Sequence, residues 1–166
     1  TEKSYSLDNQ TKLASFSPDS SMIVTADQNG TLHFLNSSSG LTLHTQKLDH
    51  SEIKSVSFSP DSSMIVTAIE NHYNSAATTN IKLWSVQKNE RSVEFFKDLG
   101  RDDATQFHSA SFNHLTTSIN DLTNSIKIVA TFTSSTGYGV KVWRFNHCSD
   151  YKEPTRFMPQ SCLPEL

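Results

Sequence analysis

Short apolar segments recur along the chain, and residues typical of turns separate them. Apolar side chains alternate at Val56 and Phe58, and again at Ile81 and Leu83, which is the period of a half-buried β-strand. The segment Ser-Pro-Asp-Ser stands between two such strands; its proline presets φ for a tight turn, and its aspartate can bond to its own backbone. The pattern predicts an all-β chain of short antiparallel strands.

An internal repeat gives this pattern its order. Residues 16–26 read Phe-Ser-Pro-Asp-Ser-Ser-Met-Ile-Val-Thr-Ala, and residues 58–68 repeat the same letters. A weaker third copy follows at 110–113 and 128–130. Each copy ends in a similar strand, at 32–35, 81–84 and 140–143, and a fourth strand is predicted at Thr42–Leu48 and Ser92–Leu99. Repetition at this spacing is typical of stacked supersecondary units.

The repeated segments resemble the WD-repeat family, over roughly residues 5–146. Phe-Ser-Pro-Asp, Met-Ile-Val-Thr-Ala and Ile-Lys-Leu-Trp-Ser stand where that family has its second and third strands. The family's repeats of about 40 to 45 residues form four-stranded propeller blades. The resemblance therefore implies three four-stranded antiparallel blades that form part of a β-propeller.

This resemblance divides the chain into five parts. Three blade-like repeats are expected, flanked by a strand that completes a preceding blade and by a C-terminal tail. In chain order the parts are residues 1–8 (the leading strand), 9–48, 49–99 and 100–146 (the repeats) and 147–166 (the tail).

The family often braces a blade with hydrogen bonds among His, Ser or Thr, Asp and Trp. In the second repeat His50, Thr67 and Trp84 stand at three of these positions, and Thr78 replaces the aspartate. The equivalents in the other repeats are Asp8, Thr25, Asn29 and Leu35 in the first, and Ala104, Ala130, Gly137 and Trp143 in the third. We expect a partial brace in the second blade only.

The second repeat carries an insertion of seven residues relative to the first, within residues 69–79. By resemblance this segment is a loop on the usual binding face of the propeller, and residues 100–105 emerge on the same face. Because binding residues concentrate in loops on rigid scaffolds, the expected partner-binding residues are Glu70, His72, Tyr73, Arg101, Asp102 and Asp103.

Composition and motifs argue against catalytic and metal chemistry. His44 and His50 are six residues apart, as are His108 and His114, and this spacing fits no known ligand pattern. Gly137-Tyr138-Gly139 leads into a strand rather than a helix, as a hairpin turn does. No serine elbow of the Gly-x-Ser-x-Gly type is present. We therefore expect no metal, no cofactor and no enzymatic activity.

The number of repeats bears on the partners. Propellers generally close with 4 to 8 blades, so a three-blade arc would be a fragment, would take missing blades from another chain, or would self-associate.

With a net charge of −3, nucleic acid is an unfavoured partner, and no apolar run is long enough to cross a membrane. Cys148 and Cys162 fit either two cytosolic thiols or one disulfide, and the expected location is the cytoplasm, with the nucleus as the alternative.

These observations favour a non-catalytic scaffold for protein–protein interactions, as a fragment or a subunit of a larger propeller assembly. The alternatives are a nucleic-acid-associated scaffold of the RNA-processing type and a propeller-based enzyme domain. The first would need a basic face, and the second would need a cluster of acidic or histidine side chains at the central channel.

Overall fold

The computed structural model describes residues 4–6, 10–49, 51–73, 76–87, 92–101, 105–113 and 125–146. Regular structure in these ranges is entirely β-strand, so they contain no membrane-spanning helix. The strands are β1 (Thr11–Phe16), β2 (Met22–Asp27), β3 (Thr31–Asn36), β4 (Thr42–Lys47), β5 (Ser51–Phe58), β6 (Met64–Tyr73), β7 (Ala76–Gln87), β8 (Ser92–Arg101), β9 (Thr105–Phe112), β10 (Ser125–Ser134) and β11 (Gly137–Asn146).

The strands form three antiparallel sheets, ordered β1-β2-β3-β4, β5-β6-β7-β8 and β9-β10-β11. The inner strands β1, β5 and β9 lie beside one another, so that the sheets form an arc of propeller blades. This confirms the expected all-β fold of a partial propeller. The fourth strand expected for the third sheet falls outside the described residues. The strand β8 of the second sheet continues through Gly100 and Arg101, two residues that the division of the sequence assigned to the third repeat.

Only residues 4–6 of the leading segment 1–8 belong to the described residues, so the strand expected there stays a prediction. Residues 4–6 have no regular secondary structure, and the rest of that segment lies outside the described residues. The Tyr5 hydroxyl donates to the backbone carbonyls of Ser37 and Ser38, at 3.0 and 3.1 Å. Tyr5 thereby covers the turn between β3 and β4.

The duplicated Ser-Pro-Asp-Ser segment forms the same turn in both sheets. The Ser17 hydroxyl donates to Asp19 Oδ1 and accepts from the Met22 amide, at 2.7 and 2.9 Å. Ser59 makes the equivalent bonds in the second sheet, at 2.6 and 2.9 Å. Each turn has one serine in the left-handed region, Ser20 at φ 59° and Ser62 at φ 62°. The turns also join the sheets, because the Asp19 amide donates to Ser62 Oγ at 3.2 Å.

The second sheet contributes buried side chains from both of its faces. Ile65, Ile69 and Trp84 pack toward the first sheet, whereas the alternate residues Val66 and Leu83 pack toward the third. A fully buried side chain of this size contributes roughly 1.5–3 kcal/mol. The two apolar layers between the sheets therefore hold the arc together.

One hydrogen bond in the first of these layers distinguishes the first two blades. Trp84 Nε1 donates to Thr67 Oγ1 at 2.9 Å, and both residues are buried. Thr25 occupies the position of Thr67 in the first sheet, but Leu35 replaces the tryptophan. The Thr25 hydroxyl is buried and has no hydrogen-bond partner among the described residues. His50, the third expected member of the brace, lies outside the described residues, so its role stays a prediction.

The two threonines allow a matched test of the brace. Thr67→Val should lower the free energy of unfolding by about 1–3 kcal/mol, because it leaves the buried indole N–H of Trp84 without an acceptor. Thr25→Val removes a hydroxyl that has no partner and should be neutral or slightly stabilising. Urea unfolding of both variants checks this, and equal losses of stability at the two sites would contradict it.

Candidate functional site

One end of the sheets combines the features expected of a binding face. We call this end the hairpin face. It consists of the β2–β3 turn, the β6–β7 hairpin, the C-terminal ends of β4 and β8, and the N-terminal ends of β5 and β9. The β2–β3 turn is short, and its last strand pair is Ala26 with Leu32. The equivalent pair in the second sheet is Ala68 with Ile81, and five further pairs follow it, as far as Tyr73 with Ala76.

The expected loop over residues 69–79 is therefore wrong in its structure, because the insertion lengthens a β-hairpin. At about 3.3 Å per residue, the extra pairs add about 17 Å of paired ribbon. The backbone N–H and C=O groups of the two strands hydrogen-bond to one another. In an open loop of the same length these groups would bond to water instead. The insertion is thus an ordered projection of the second sheet.

Four of the six expected binding residues belong to the part of the chain that the structure describes. Glu70, His72 and Tyr73 lie in β6 on the projecting hairpin, and Arg101 is the last residue of β8, paired with Asn80. The carboxyl group of Glu70 is partly buried and the His72 side chain is exposed. Asp102 and Asp103 lie outside the described residues.

A network of ion pairs lies at the base of the hairpin. Lys54 Nζ bonds to carboxylate oxygens of Glu52 and Glu70, at 3.0 and 2.6 Å, and Lys12 Nζ lies 3.2 Å from Glu52. We call these four residues the charged cluster. Glu52 and Glu70 are directly opposite in register, which is an unfavourable arrangement for like charges. The bridging ammonium group of Lys54 offsets their repulsion.

The two lysines occupy equivalent places in consecutive repeats. Each lies at a register shift of an inner strand, Lys12 between Thr11 and Leu13, and Lys54 between Ile53 and Ser55. A β-bulge of this kind re-aims the side chain that it contains. Lys12 extends from the first sheet to Glu52 of the second, so the cluster also joins two blades.

The pKa values of the cluster follow from these contacts. Hydrogen bonds from Lys54 and Lys12 hold the pKa of Glu52 below its usual range, and the hydrogen bond to Glu70 raises the pKa of Lys54. All of these side chains are partly exposed, and such pairs contribute at most about 1 kcal/mol each. A charged partner could therefore replace these ion pairs with its own at a small cost in free energy.

Glu52, Glu70 and His72 also place three potential metal ligands together. Their ligand atoms lie within 4.8 Å of one another. The ammonium group of Lys54 already bonds to both carboxylates, so a cation would have to displace it. The geometry is that of an ion-pair network on a protein surface.

Asp27 organises the β2–β3 turn of the same face, and the sequence pattern did not single it out. Its Oδ1 accepts from the amides of Asn29 and Thr31, both at 2.9 Å, and its Oδ2 lies 3.3 Å from His33 Nε2. Gly30 completes the turn at φ 76°, and a β-carbon there would collide with the Ser51 and Leu48 carbonyls. The family resemblance placed Asn29 at the position of the bracing aspartate; the available sequence signal for Asp27 was an aspartate two residues before Asn29-Gly30.

Burial by itself raises the pKa of Asp27, but the hydrogen bonds from Thr31, His33 and Asn29 together lower it below the ordinary 3.8. Because the pKa of Asp27 is lower in the folded chain than in the unfolded chain, its carboxylate stabilises the fold at pH values above the unfolded-state pKa. This contribution is lost as the pH falls through the folded-state pKa. The ionised carboxylate of Asp27 therefore stabilises the turn at neutral pH.

Asp27→Asn should lower the free energy of unfolding by about 1–2 kcal/mol at pH 7, because the amide accepts more weakly from Asn29 and Thr31. The difference from the wild type should shrink as the pH falls below about 4, where wild-type Asp27 becomes protonated. Denaturant melts across this range check the prediction, with exposed Asp49→Asn as the control. A difference that is the same at pH 3 as at pH 7 would contradict it.

The sequence and the fold are similar to those of known proteins. The family model described as WD40, "WD domain, G-beta repeat", matches residues 41–85, from Leu41 just before β4 to Ser85 in β7. This match begins with the outer strand of one blade and continues with three strands of the next. No curated protein sequence matches the chain.

Solved propeller structures share the fold at low identity. The structure of U3-55K has a TM-score of 0.53 at 14% identity, over 83% of this chain and 40% of that chain. The β-propeller domain of Cps50 (Swd1) from Myceliophteria thermophila gives 0.52 at 12%, over 87% and 41%. The crystal structure of the Mitotic Checkpoint Complex gives 0.55 at 19%, over 81% and 37%. The chain thus spans about 40% of the length of these structures, and the likeness shows the fold.

Proposed function

We propose that this chain, a WD-repeat protein of the β-propeller type, is a non-catalytic scaffold that binds a protein partner through its hairpin face. The observation that carries the proposal is the ordered extension of the β6–β7 hairpin, which the otherwise similar first blade does not have. A paired ribbon loses less conformational entropy on binding than a flexible loop does. It therefore suits recognition of another protein.

The anchoring of the hairpin supports this role. Ile69 at its base is buried between the first two sheets, and Thr79 Oγ1 accepts from the Phe107 amide of the third sheet at 2.6 Å. At the side of the ribbon, Ser51 Oγ donates to Asn71 Oδ1 at 2.7 Å. The hairpin is therefore fixed to all three blades, and its outer part projects from a rigid base.

The charged cluster supports a protein partner rather than a nucleic acid. Lys12 and Lys54 both contact carboxylates, so this part of the face has balanced charge rather than the basic surface that binds phosphates. A partner that presents both signs of charge could exchange these ion pairs, which would give specificity and sensitivity to salt more than affinity.

Shortening the hairpin tests the proposal. Replacing residues 71–78 by Asn-Gly, a favoured two-residue hairpin turn, keeps Glu70 and Thr79 paired and retains buried Ile69. The variant should keep the thermal midpoint of the wild type, because Asn71, His72 and Thr78, the side chains described in the removed part, do not belong to the two apolar layers. It should lose the proteins that the wild-type chain retains in quantitative affinity capture from cell extract.

Leu41→Ser is the matched control, because Leu41 is exposed on the turn at the opposite end of the sheets. This variant should capture the same proteins as the wild type. Capture that survives removal of the hairpin would overturn the proposal. Salt-dependent retention of RNA by the wild type, unchanged in the shortened variant, would favour the nucleic-acid alternative.

A further inference from the structure

Three potential metal ligands meet at the base of the β6–β7 hairpin. Glu52 of β5 is opposite Glu70 of β6 in register, and His72 follows two residues after Glu70. Side chains two residues apart in a strand lie on the same face of a sheet, so the three groups share one face. One ligand atom of each lies within 4.8 Å of the other two. We call these three residues the ligand triad. No spacing along the chain predicts it, because strand register brings its members together.

Backbone pairing holds the ligand triad in place. The ladder between β5 and β6 continues beyond the two glutamates to the pair of Ser51 with Asn71. The Ser51 hydroxyl donates to Asn71 Oδ1 at 2.7 Å and so ties the two strands together beside the triad. Ligands on regular strands keep their geometry better than ligands on loops do. The backbone therefore needs little rearrangement to hold an ion.

The charged cluster shows where a cation is stabilised beside the triad. Lys54 Nζ bonds to Oε2 of Glu52 and to Oε2 of Glu70, at 3.0 and 2.6 Å. The imidazole ring of His72 forms no hydrogen bond or ion pair within the part of the chain that the structure describes. A divalent ion in place of the ammonium group has twice its charge and gains the imidazole as a third ligand.

We propose that the ligand triad binds a divalent metal ion with the ligand preferences of zinc, and that the ammonium group of Lys54 leaves as the ion enters. Zinc binds imidazole nitrogen and carboxylate oxygen, and three protein ligands leave a fourth position for water or for a ligand from another molecule. Calcium and magnesium prefer oxygen ligands, so the imidazole disfavours them. The bound ion joins β5 to the projecting hairpin.

Displacement of Lys54 requires little free energy. The exchange transfers no proton, because Lys54 remains an ammonium ion and moves into water. Its side chain is 32% exposed, so it reaches solvent without unpacking the apolar layers. Ion pairs between partly exposed side chains are weak, and the metal ion replaces both of the contacts that the carboxylates lose.

Lys12 supports the site from outside the triad. Its ammonium group lies 3.2 Å from Oε1 of Glu52, whereas Lys54 bonds to Oε2 of the same carboxylate. The contact with Lys12 can therefore persist when the metal ion takes Oε2. Outer contacts of this kind orient a metal-binding carboxylate and strengthen the binding of the ion.

Isothermal titration calorimetry with zinc chloride tests the site in the complete chain. A Cys148→Ser, Cys162→Ser background removes thiolates that would compete for zinc, and we call this double variant the reference protein. His72→Ala in this background should raise the dissociation constant at least about tenfold. His108→Ala, at an exposed histidine of β9 outside the triad, should leave it unchanged. A reference protein without saturable binding at millimolar zinc, or His72→Ala binding as tightly as the reference protein, would overturn the proposal.

Lys54→Gln distinguishes a metal site from an ion-pair network alone. Because this change removes the competing ammonium group, the affinity for zinc should rise about tenfold. Saturating zinc should also raise the thermal midpoint of Lys54→Gln more than that of the reference protein. Unchanged or weaker zinc binding by Lys54→Gln would contradict displacement of the ammonium group and overturn the proposal. Both variants retain the projecting hairpin, so these results are independent of the capture experiment for the proposed scaffold.

Discussion

Burial of both faces of a blade is the constraint on which the rest of this structure depends. In a single antiparallel sheet, alternate side chains point to opposite faces, and in the second sheet both sets are apolar: Ile65 and Trp84 on one side, Val66 and Leu83 on the other. Such a sheet is stable only between two neighbours. The eleven-residue segment shared by the first two repeats gives both sheets the same turn and the same spacing of apolar residues.

Much of this could be predicted from local sequence, because the determinants are local. Ser-Pro-Asp-Ser determines its turn through bonds within six residues, as Ser17 and Ser59 show. The alternation of apolar residues likewise predicts strands without knowledge of their neighbours. The pairing of Thr67 with Trp84 is consistent with the family resemblance, and the unsatisfied Thr25 hydroxyl shows the consequence of Leu35 in the equivalent place.

The remainder depends on contacts that the sequence pattern does not encode. The polar composition of residues 69–79 is typical of a loop, but cross-strand pairing makes these residues a hairpin. The position of Lys54 between Glu52 and Glu70 depends on a bulge and on strand register. Asp27 caps its turn only because Gly30 adopts a left-handed conformation that brings the Thr31 amide over the carboxylate. Register and turn geometry therefore limited the prediction of the site more than that of the fold.

Native-state hydrogen exchange, read by mass spectrometry on the monomer at low concentration, tests most directly the claim that neighbouring sheets stabilise one another. The slowest amides should lie in β6 and in the buried part of β7, because these strands are covered on both faces. Amides of β11, whose outer face is exposed, should exchange markedly faster. Equal or greater protection of β11 would contradict the claim that burial on both faces governs the stability of this chain.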